Sequence, residues 1–416
     1  MKQLARKAVR TALSFCAKKL GFDPYRVIKM GWERWVLRKA LRGKRRRRNE
    51  TGVNLFFPAY WLTSLSKVGR DFAFKLAQTD IPFSLVDTTM PWSHDPQIPD
   101  GPERRALQPF VRTTALYRKS ILLGGEDLSA GGRRDVYKEI FFEFDEGFRA
   151  FHPKCFSHAK AACVFSDFCL DLVRRAAPPG FPVAKIRYPF PSPPPLLPDR
   201  RETRKRFGVP EDVFAVFFNF ALYVCSGRKN QDGCMAAFTR AFKNSKDAWL
   251  VLKLPPNPVR ERLDALRKKL ADNGILERTV IIAERLEMND VFALTAAMDV
   301  YLSLHRGEGL GLGMLEAMSL GVPVVATAYG GNMEFMNEGN SFLVPYERHV
   351  WTPECGFPRH YGAWAEPDIA IASNVLRFVR DNPEECQRRS KAGIEFVRDY
   401  YSVENFKKDV IGFLEG

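Results

Sequence analysis

The stretch Ser303-Leu304-His305-Arg306-Gly307-Glu308-Gly309-Leu310-Gly311-Leu312-Gly313-Met314-Leu315-Glu316-Ala317-Met318, followed by Gly321-Val322-Pro323-Val324-Val325-Ala326-Thr327, decides how this chain folds. Val300-Tyr301-Leu302 ahead of it reads as a buried strand, the glycines as a turn, the residues after them as a helix, and Pro323–Ala326 as the next strand. Gly307, Gly309, Gly311 and Gly313 let the backbone approach a ligand closely and adopt positive φ. Amides at the start of the helix suit an anion such as a diphosphate. The pattern is not the dinucleotide fingerprint, because Met314 stands where G-x-G-x-x-G needs its third glycine, and no Gly-Lys-Ser/Thr follows to make a P-loop. Glu308 sits in the turn and Glu316 about two helical turns further on, on roughly the same side. A carboxylate accepts paired hydrogen bonds from vicinal hydroxyls, which a sugar and a ribose both present. The plainer alternative is a helix-start charge at Glu308 and a solvated helix residue at Glu316.

Outward from this stretch, strands alternate with helices. On the amino-terminal side lie strands at 213–218, 249–252 and 279–283, with helices at 229–243, 258–271 and 289–297 between them. Residues 189–198 read PFPSPPPLLP, and six prolines in ten residues make a stiff extended linker. Before it the alternation recurs: strands at 53–57, 83–86, 120–123, 137–144, 161–165 and 183–187, and helices at 64–78 and 167–176. Such alternation predicts parallel sheets with helices on their faces. The expected organisation is an arm over 1–50, a first Rossmann-like domain over 51–188, a linker over 189–199, a second domain over 200–395, and a C-terminal helix over 396–416 that returns to the first domain. Two doubly wound halves leave a cleft between them, and ligands bind beyond the carboxyl ends of their strands.

Composition supports globular domains, with 45% apolar residues in 416. No run of 18 apolar residues occurs, so no transmembrane helix is expected. The eight cysteines form no C-x-x-C pair and have no histidine cluster beside them, which speaks against zinc or redox chemistry and for a reducing cytoplasm. The net charge of +16 is concentrated: residues 1–48 hold 17 basic groups against Asp23 and Glu33, a net +15. This arm reads as two basic helical stretches, the second carrying Trp32 and Trp35, closed by Lys44-Arg45-Arg46-Arg47-Arg48. A basic amphipathic segment with tryptophans fits an anionic membrane surface. Packing of the arm on its own protein is the second reading, and nucleic acid the weakest.

The glycine stretch resembles the E-x7-E signature of glycosyltransferase family four, retaining enzymes of the GT-B fold. Gly330-Gly331-Asn332-Met333-Glu334 and Trp364-Ala365-Glu366-Pro367-Asp368 extend the resemblance, and together they look like a bacterial branch associated with surface polysaccharides and lipopolysaccharide. The resemblance runs from about Gly52 to the C-terminus, strong in the second half and faint in the first. It implies that Glu308 contacts the transferred sugar and that Glu316 takes the ribose hydroxyls of a UDP- or GDP-sugar. It also implies that the amides near Gly309, Leu310, Gly311 and Leu312, with His305, Gly330, Gly331 and Asn332, surround the diphosphate and sugar. Arg228-Lys229-Asn230 matches the family's basic pair, with Lys229 the better candidate to offset charge on the departing diphosphate. Many relatives carry an Arg where this chain has Val224, and Arg228 is the candidate substitute.

The first half lacks the glycine-rich loop of relatives, since Phe57-Pro58-Ala59-Tyr60-Trp61 follows the first strand. Glu143, Asp145, Glu146, His152 and His158 lie where acceptor-side groups could fall. The absence of D-x-D argues against a catalytic metal, and no cofactor is expected. The expectation is therefore a glycosyltransferase acting on a glycan or lipid-linked acceptor, cytoplasmic and peripheral on the inner face of the membrane. The competing readings are a nucleotide-sugar epimerase or phosphorylase on the same fold, and a non-catalytic GT-B scaffold that binds membrane or nucleic acid through its arm.

Overall fold

The computed structural model describes residues 32, 35, 36, 39, 40 and 49–416, apart from 62, 91–97, 99, 124–135, 140–155, 157, 158, 195, 221–226 and 351–362. Two six-stranded parallel sheets organise the chain. The first contains β1 (Asn49–Phe57), β2 (Phe83–Asp87), β3 (Tyr117–Leu122), β4 (Val136–Glu139), β5 (Ala161–Val164) and β6 (Val183–Lys185), in the order β2-β1-β3-β4-β5-β6. The second contains β7 (Phe214–Asn219), β8 (Ala248–Lys253), β9 (Thr279–Ile282), β10 (Val300–Ser303), β11 (Val324–Thr327) and β12 (Phe342–Val344), in the order β12-β11-β10-β7-β8-β9. A short antiparallel hairpin, β13 (Tyr346–Val350) and β14 (Ala363–Pro367), follows the second sheet. The sequence pattern did not disclose it.

The strands are apolar on both faces because helices cover both sides of each sheet. In β1, Val53, Leu55 and Phe57 pack with Phe72 and Leu76, while Phe56 faces Val86, Leu122 and Val136 on the other side. Asn54 is a buried polar exception. Its amide nitrogen donates to the carbonyls of Tyr117 and Lys119, and its oxygen accepts from the amides of Leu116 and Tyr117, so it fastens β1 to β3. Helix α1 (Ser64–Leu76) starts at Thr63, whose hydroxyl caps the Ser66 amide, and buries Val68, Phe72 and Leu76. Helix α2 (Asp167–Ala176) matches the expected 167–176 and is capped by Ser166. In the second half, helices α3 (Gln231–Phe242) and α4 (Leu312–Ser319) follow β7 and β10.

The C-terminal helix expected over 396–416 is two helices. After α5 (Ile369–Asp381), α6 (Pro383–Tyr400) ends just before Ser402, which caps α7 (Val403–Glu415). Helix α6 lies on α4, with Gly393 close against Met318. Helix α7 lies on the first half: Phe406 meets Phe72 edge-on at 5.0 Å and Phe413 meets Tyr137 at 5.1 Å. The carbonyl of Leu414 accepts from Tyr137 Oη and Lys119 Nζ. The proline-rich connection forms no helix or strand among its described residues, and Lys75 Nζ holds it through the carbonyl of Phe190 at 3.0 Å.

Most of the arm lies outside the described residues. Where it is described, Val36 and Ala40 pack on Phe56, Val86 and Leu122 of the first sheet, and the amide of Ala115 donates to the carbonyl of Ala40. Trp32 and Trp35 stack at 4.9 Å, with Trp35 50% exposed. At this point the arm rests on its own protein while presenting an indole outward.

Candidate active site

Strand order in the second sheet reverses between β7 and β10, and a crevice opens beyond the carboxyl ends of strands at such a switch point. The turn 227–230 after β7 and the glycine stretch after β10 both arrive there. Asn230 adopts a left-handed conformation, φ 50°, which asparagine tolerates, and its side-chain oxygen caps α3 through the amide of Gly233. This sets Arg228 and Lys229 on the turn just ahead of the helix. Gly311, φ 94°, caps α4, whose first amides have no acceptor within the helix. Gly330 and Gly331 are fixed by close approach: a Cβ on Gly331 would lie 1.8 Å from the carbonyl oxygen of Gly309. The Gly331 amide donates to the carbonyl of Glu308 at 2.7 Å, so the two glycine segments form one unit.

Glu308, 5% exposed, lies at its centre. Lys229 Nζ contacts Oε1 directly and Arg228 Nη1 stands 2.9 Å from the same atom. Burial by itself would raise the Glu308 carboxyl, but Lys229, then Arg228, outweigh it and hold the carboxyl at about 2. The pair of cations exceeds the single carboxylate in charge, so the group carries a surplus positive charge at the mouth of α4.

A surrounding shell keeps this geometry. His305 is fully buried, and burial lowers its pKa, so the ring is neutral. Its partners fit Nε2–H donating to the carbonyl of Tyr329 at 2.8 Å and Nδ1 accepting from Ser303 Oγ at 3.1 Å. Asn332 donates to the carbonyl of Thr327 and lies against His305. These two side chains therefore support the turn at 329–332 through protein partners. Arg306 clasps Glu366 with two bonds at 2.6 and 2.7 Å, lies over the Trp364 ring, and donates to the carbonyl of Gly227. It thereby fastens the 227–230 turn to β14.

The first half closes onto this site. Glu316, 7% exposed, is not a solvated helix residue: Lys67 Nζ of α1 reaches Oε1 at 3.5 Å. Burial raises the Glu316 carboxyl, and Lys67 offsets this only in part. Ser166, the cap of α2, donates to the carbonyl of Gly309 at 2.7 Å. Glu334 accepts from Lys185 Nζ, from the Asp167 amide and from Tyr400 Oη, joining both halves and α6.

The sequence-derived candidates Arg228, Lys229, Glu308, Gly309, Gly330 and Gly331 thus come together in space. Leu310 and Leu312 flank the Gly311 cap, Leu310 in the core and Leu312 partly buried. The signatures around Arg306 and Glu366 were visible as motifs but carried no stated role. Lys67 and Ser166 were missed, because nothing in their own segments points to a partner in the other half. Val224, Glu143, Asp145, Glu146, His152 and His158 lie outside the described residues. Among the described residues, no three His, Cys, Asp or Glu side chains are grouped to hold a metal ion, and no helix is long and apolar enough to cross a membrane.

Residues 220–350, which carry the turn at 227–230, both carboxylates and both glycine segments, match the family described as glycosyl transferases group 1. The chain is similar in sequence to the lipopolysaccharide core biosynthesis mannosyltransferase LpsB of Rhizobium meliloti, 36% identical over 75 residues, covering 18% of this chain and 20% of that protein. It is also similar to a GDP-mannose-dependent monoacylated α-(1-6)-phosphatidylinositol monomannoside mannosyltransferase of Corynebacterium glutamicum, 29% identical over 153 residues, covering 35% of this chain and 38% of that one. This chain therefore spans well under half the length of these curated relatives. Among solved structures, Anabaena HepE with UDP and glucose superposes with a TM-score of 0.64 at 16% identity, over 88% of this chain and all of that one. Sucrose-phosphate synthase from Thermosynechococcus elongatus superposes with a TM-score of 0.61 at 16% identity, over 88% and 98%. The fold shared with these structures is GT-B: two doubly wound α/β halves.

Proposed function

We propose that this protein is a retaining glycosyltransferase that moves a sugar from a UDP- or GDP-sugar to a glycan or lipid-linked acceptor in surface polysaccharide or lipopolysaccharide synthesis. The observation that carries this reading is the buried Glu308, kept ionised by Lys229 and Arg228 beside the amides that open α4. In the reaction, the bond between the anomeric carbon and the diphosphate oxygen breaks, the nucleoside diphosphate keeps the electron pair, and a bond to the acceptor oxygen forms. Positive charge builds at the anomeric carbon and negative charge on the departing diphosphate. Lys229, Arg228 and the α4 amides would stabilise the latter, since fixed charges in a buried site act most strongly on such changes. Glu308 would orient the sugar, and Glu316 would take the ribose hydroxyls. His305 and Asn332 would act by holding the 329–332 turn against the sugar and diphosphate. No protein nucleophile is required.

A panel of nucleotide sugars tests the donor reading by thermal unfolding. A true donor at about 100 times its dissociation constant adds about 2.7 kcal/mol of stability. A panel in which no nucleotide sugar raises the midpoint sinks it. Turnover that requires an acceptor separates transfer from epimerisation.

The arm belongs to the same reading. Its net +15 over residues 1–48 and the half-exposed Trp35 fit an anionic membrane surface on the cytoplasmic side, where a lipid-linked acceptor would be presented. Because Val36 and Ala40 cover part of the first sheet, deleting the whole arm would uncover that core. Neutralising Lys44–Arg48 is the cleaner test: sedimentation with anionic vesicles at low salt should fall, with donor binding unchanged. Tighter binding to RNA than to vesicles would reject the membrane.

A further inference from the structure

We propose that Lys67, on the first half, is a positioning residue for the nucleoside, closing the cleft on Glu316 and keeping that carboxylate able to accept from both ribose hydroxyls. This rests on the reading of Glu316 as the ribose ligand. The geometry is a chain across the cleft. Lys67 Nζ stands 3.5 Å from Glu316 Oε1 and 2.6 Å from Asp71 Oδ2, one turn further along α1, and Asp71 accepts in turn from Tyr188 Oη at the start of the linker. All four side chains are buried or nearly so.

The groups around Glu316 leave Lys67 with the task. Asp71 on α1 is a second negative charge, and Tyr188 and Tyr301 are neutral phenols whose own ionisation burial suppresses. Tyr301 Oη is engaged with Asn219 at 2.6 Å, and Glu308 is paired with Lys229 and Arg228. Arg70, the other cation on this stretch of α1, is turned away to Glu103 and to the carbonyls of Ala59 and Trp61. Burial and Asp71 both push the Glu316 carboxyl up, and Lys67 pulls it down. A protonated carboxyl turns one acceptor oxygen into a donor and cannot accept from two vicinal hydroxyls with both oxygens. Without Lys67, a buried carboxyl beside Asp71 takes up a proton closer to neutral pH. Since Lys67 and Glu316 belong to different halves, the grip on the ribose and the approach of the halves are one event.

The test measures the affinity of the full chain for UDP and GDP, taking the tighter, at pH 6.5 and pH 8.5, for wild type, Lys67→Met and Lys67→Arg. The ratio of variant to wild type at each pH cancels titration of the phosphate itself. Lys67→Met is expected to lose several-fold more affinity at pH 6.5 than at pH 8.5, because its Glu316 carboxyl takes up a proton more readily. Lys67→Arg should restore most of it. The 2′,3′-dideoxy form of the same nucleotide has no hydroxyls to offer and should show no such difference. Equal loss at both pH values, or equal loss with the dideoxy nucleotide, overturns the proposal. Lys67→Gln serves the same comparison if the methionine variant does not fold. Glu316→Gln separates the two levels: if it binds the ribonucleotide as wild type does, the ribose assignment fails, whatever Lys67 does.

Discussion

Two carboxylates, the buried Glu308 of the second half and the half-buried Asp87 of the first, stand at or just beyond the carboxyl ends of parallel strands and have opposite electrostatic fates. In the second half Glu308 meets Lys229 and Arg228 and is held at about 2. In the first half Asp87, at the end of β2, accepts from the backbone amides of Ala59 and Thr89, and burial pushes its carboxyl up because those bonds do not fully compensate. Its surroundings are the exit of β1, where Ala59, Tyr60 and Trp61 are buried. The same doubly wound architecture thus holds a carboxylate clasped directly by two cations in one half and, in the other, one held by backbone amides among aromatic residues, with Arg70 and Arg104 spent on other partners. Parallel sheets supply the place beyond the strand ends, and the residues in the loops decide what chemistry is held there.

The sharpest way to break the comparison is to remove the charge on Glu308. Glu308→Gln should cut turnover by about 10²–10³-fold, the range seen when a preorganised electrostatic group is lost, and should also lower the unfolding midpoint, because Lys229 and Arg228 lose their carboxylate. Activity near wild type would remove Glu308 from the site. Gly331→Ala comes next: the new Cβ meets backbone, so the 307–311 loop must shift, with a loss of several kcal/mol in stability or a collapse of nucleotide binding. Gly412→Ala, where a Cβ meets nothing within 4 Å, is the control and should be neutral or better.

Lys229→Ala should weaken nucleoside diphosphate binding and turnover together, by about 10–100-fold, the worth of one hydrogen bond to a charged group. Calorimetry with UDP and GDP checks the first and initial rates the second. The same variant sharpens the contrast in acid. Glu308 has a folded pKa of about 2, below its ordinary value of 4.5, so its contribution to stability is complete above about 4.5 and is lost as pH falls towards 2. With Lys229 absent, that loss should begin at higher pH, visible as an acid midpoint moved upward. The smallest effect belongs to Ser166→Ala, which removes a helix cap and the bond to Gly309 and should cost about 1 kcal/mol. A rise in KM for donor should accompany it, while no change in KM would confine Ser166 to capping.

What could be read from the sequence differs between the halves for the same reason. Around β10 and α4, glycines with obligatory conformations sit next to apolar runs of strand and helix period, so local signals agree with one another. Helix α2 was legible to the residue because Ser166 supplies a cap and the apolar spacing follows at once. The Glu308 cluster joins segments 79 residues apart, and only the motif around Arg228 and Lys229 tied them in advance. Lys67 offered no such tie, as a lysine on an amphipathic helix is ordinarily solvated. The split between α6 and α7 was also hidden, since Tyr400, Tyr401 and Phe406 continue an apolar pattern across the break that Ser402 imposes.

The return of α7 has a consequence for how the molecule is made. Phe406 and Phe413 complete the packing around Phe72 and Tyr137, residues that leave the ribosome long before them. The second half lies between these partners in sequence and can fold as a unit as it emerges. The first half cannot bury Phe72 and Tyr137 fully until that has happened. Until then its apolar face stays open to chaperones, or to the same helix of another molecule. A frameshift or nonsense codon after residue 402 would spare every group in the candidate site and still leave a product prone to aggregation.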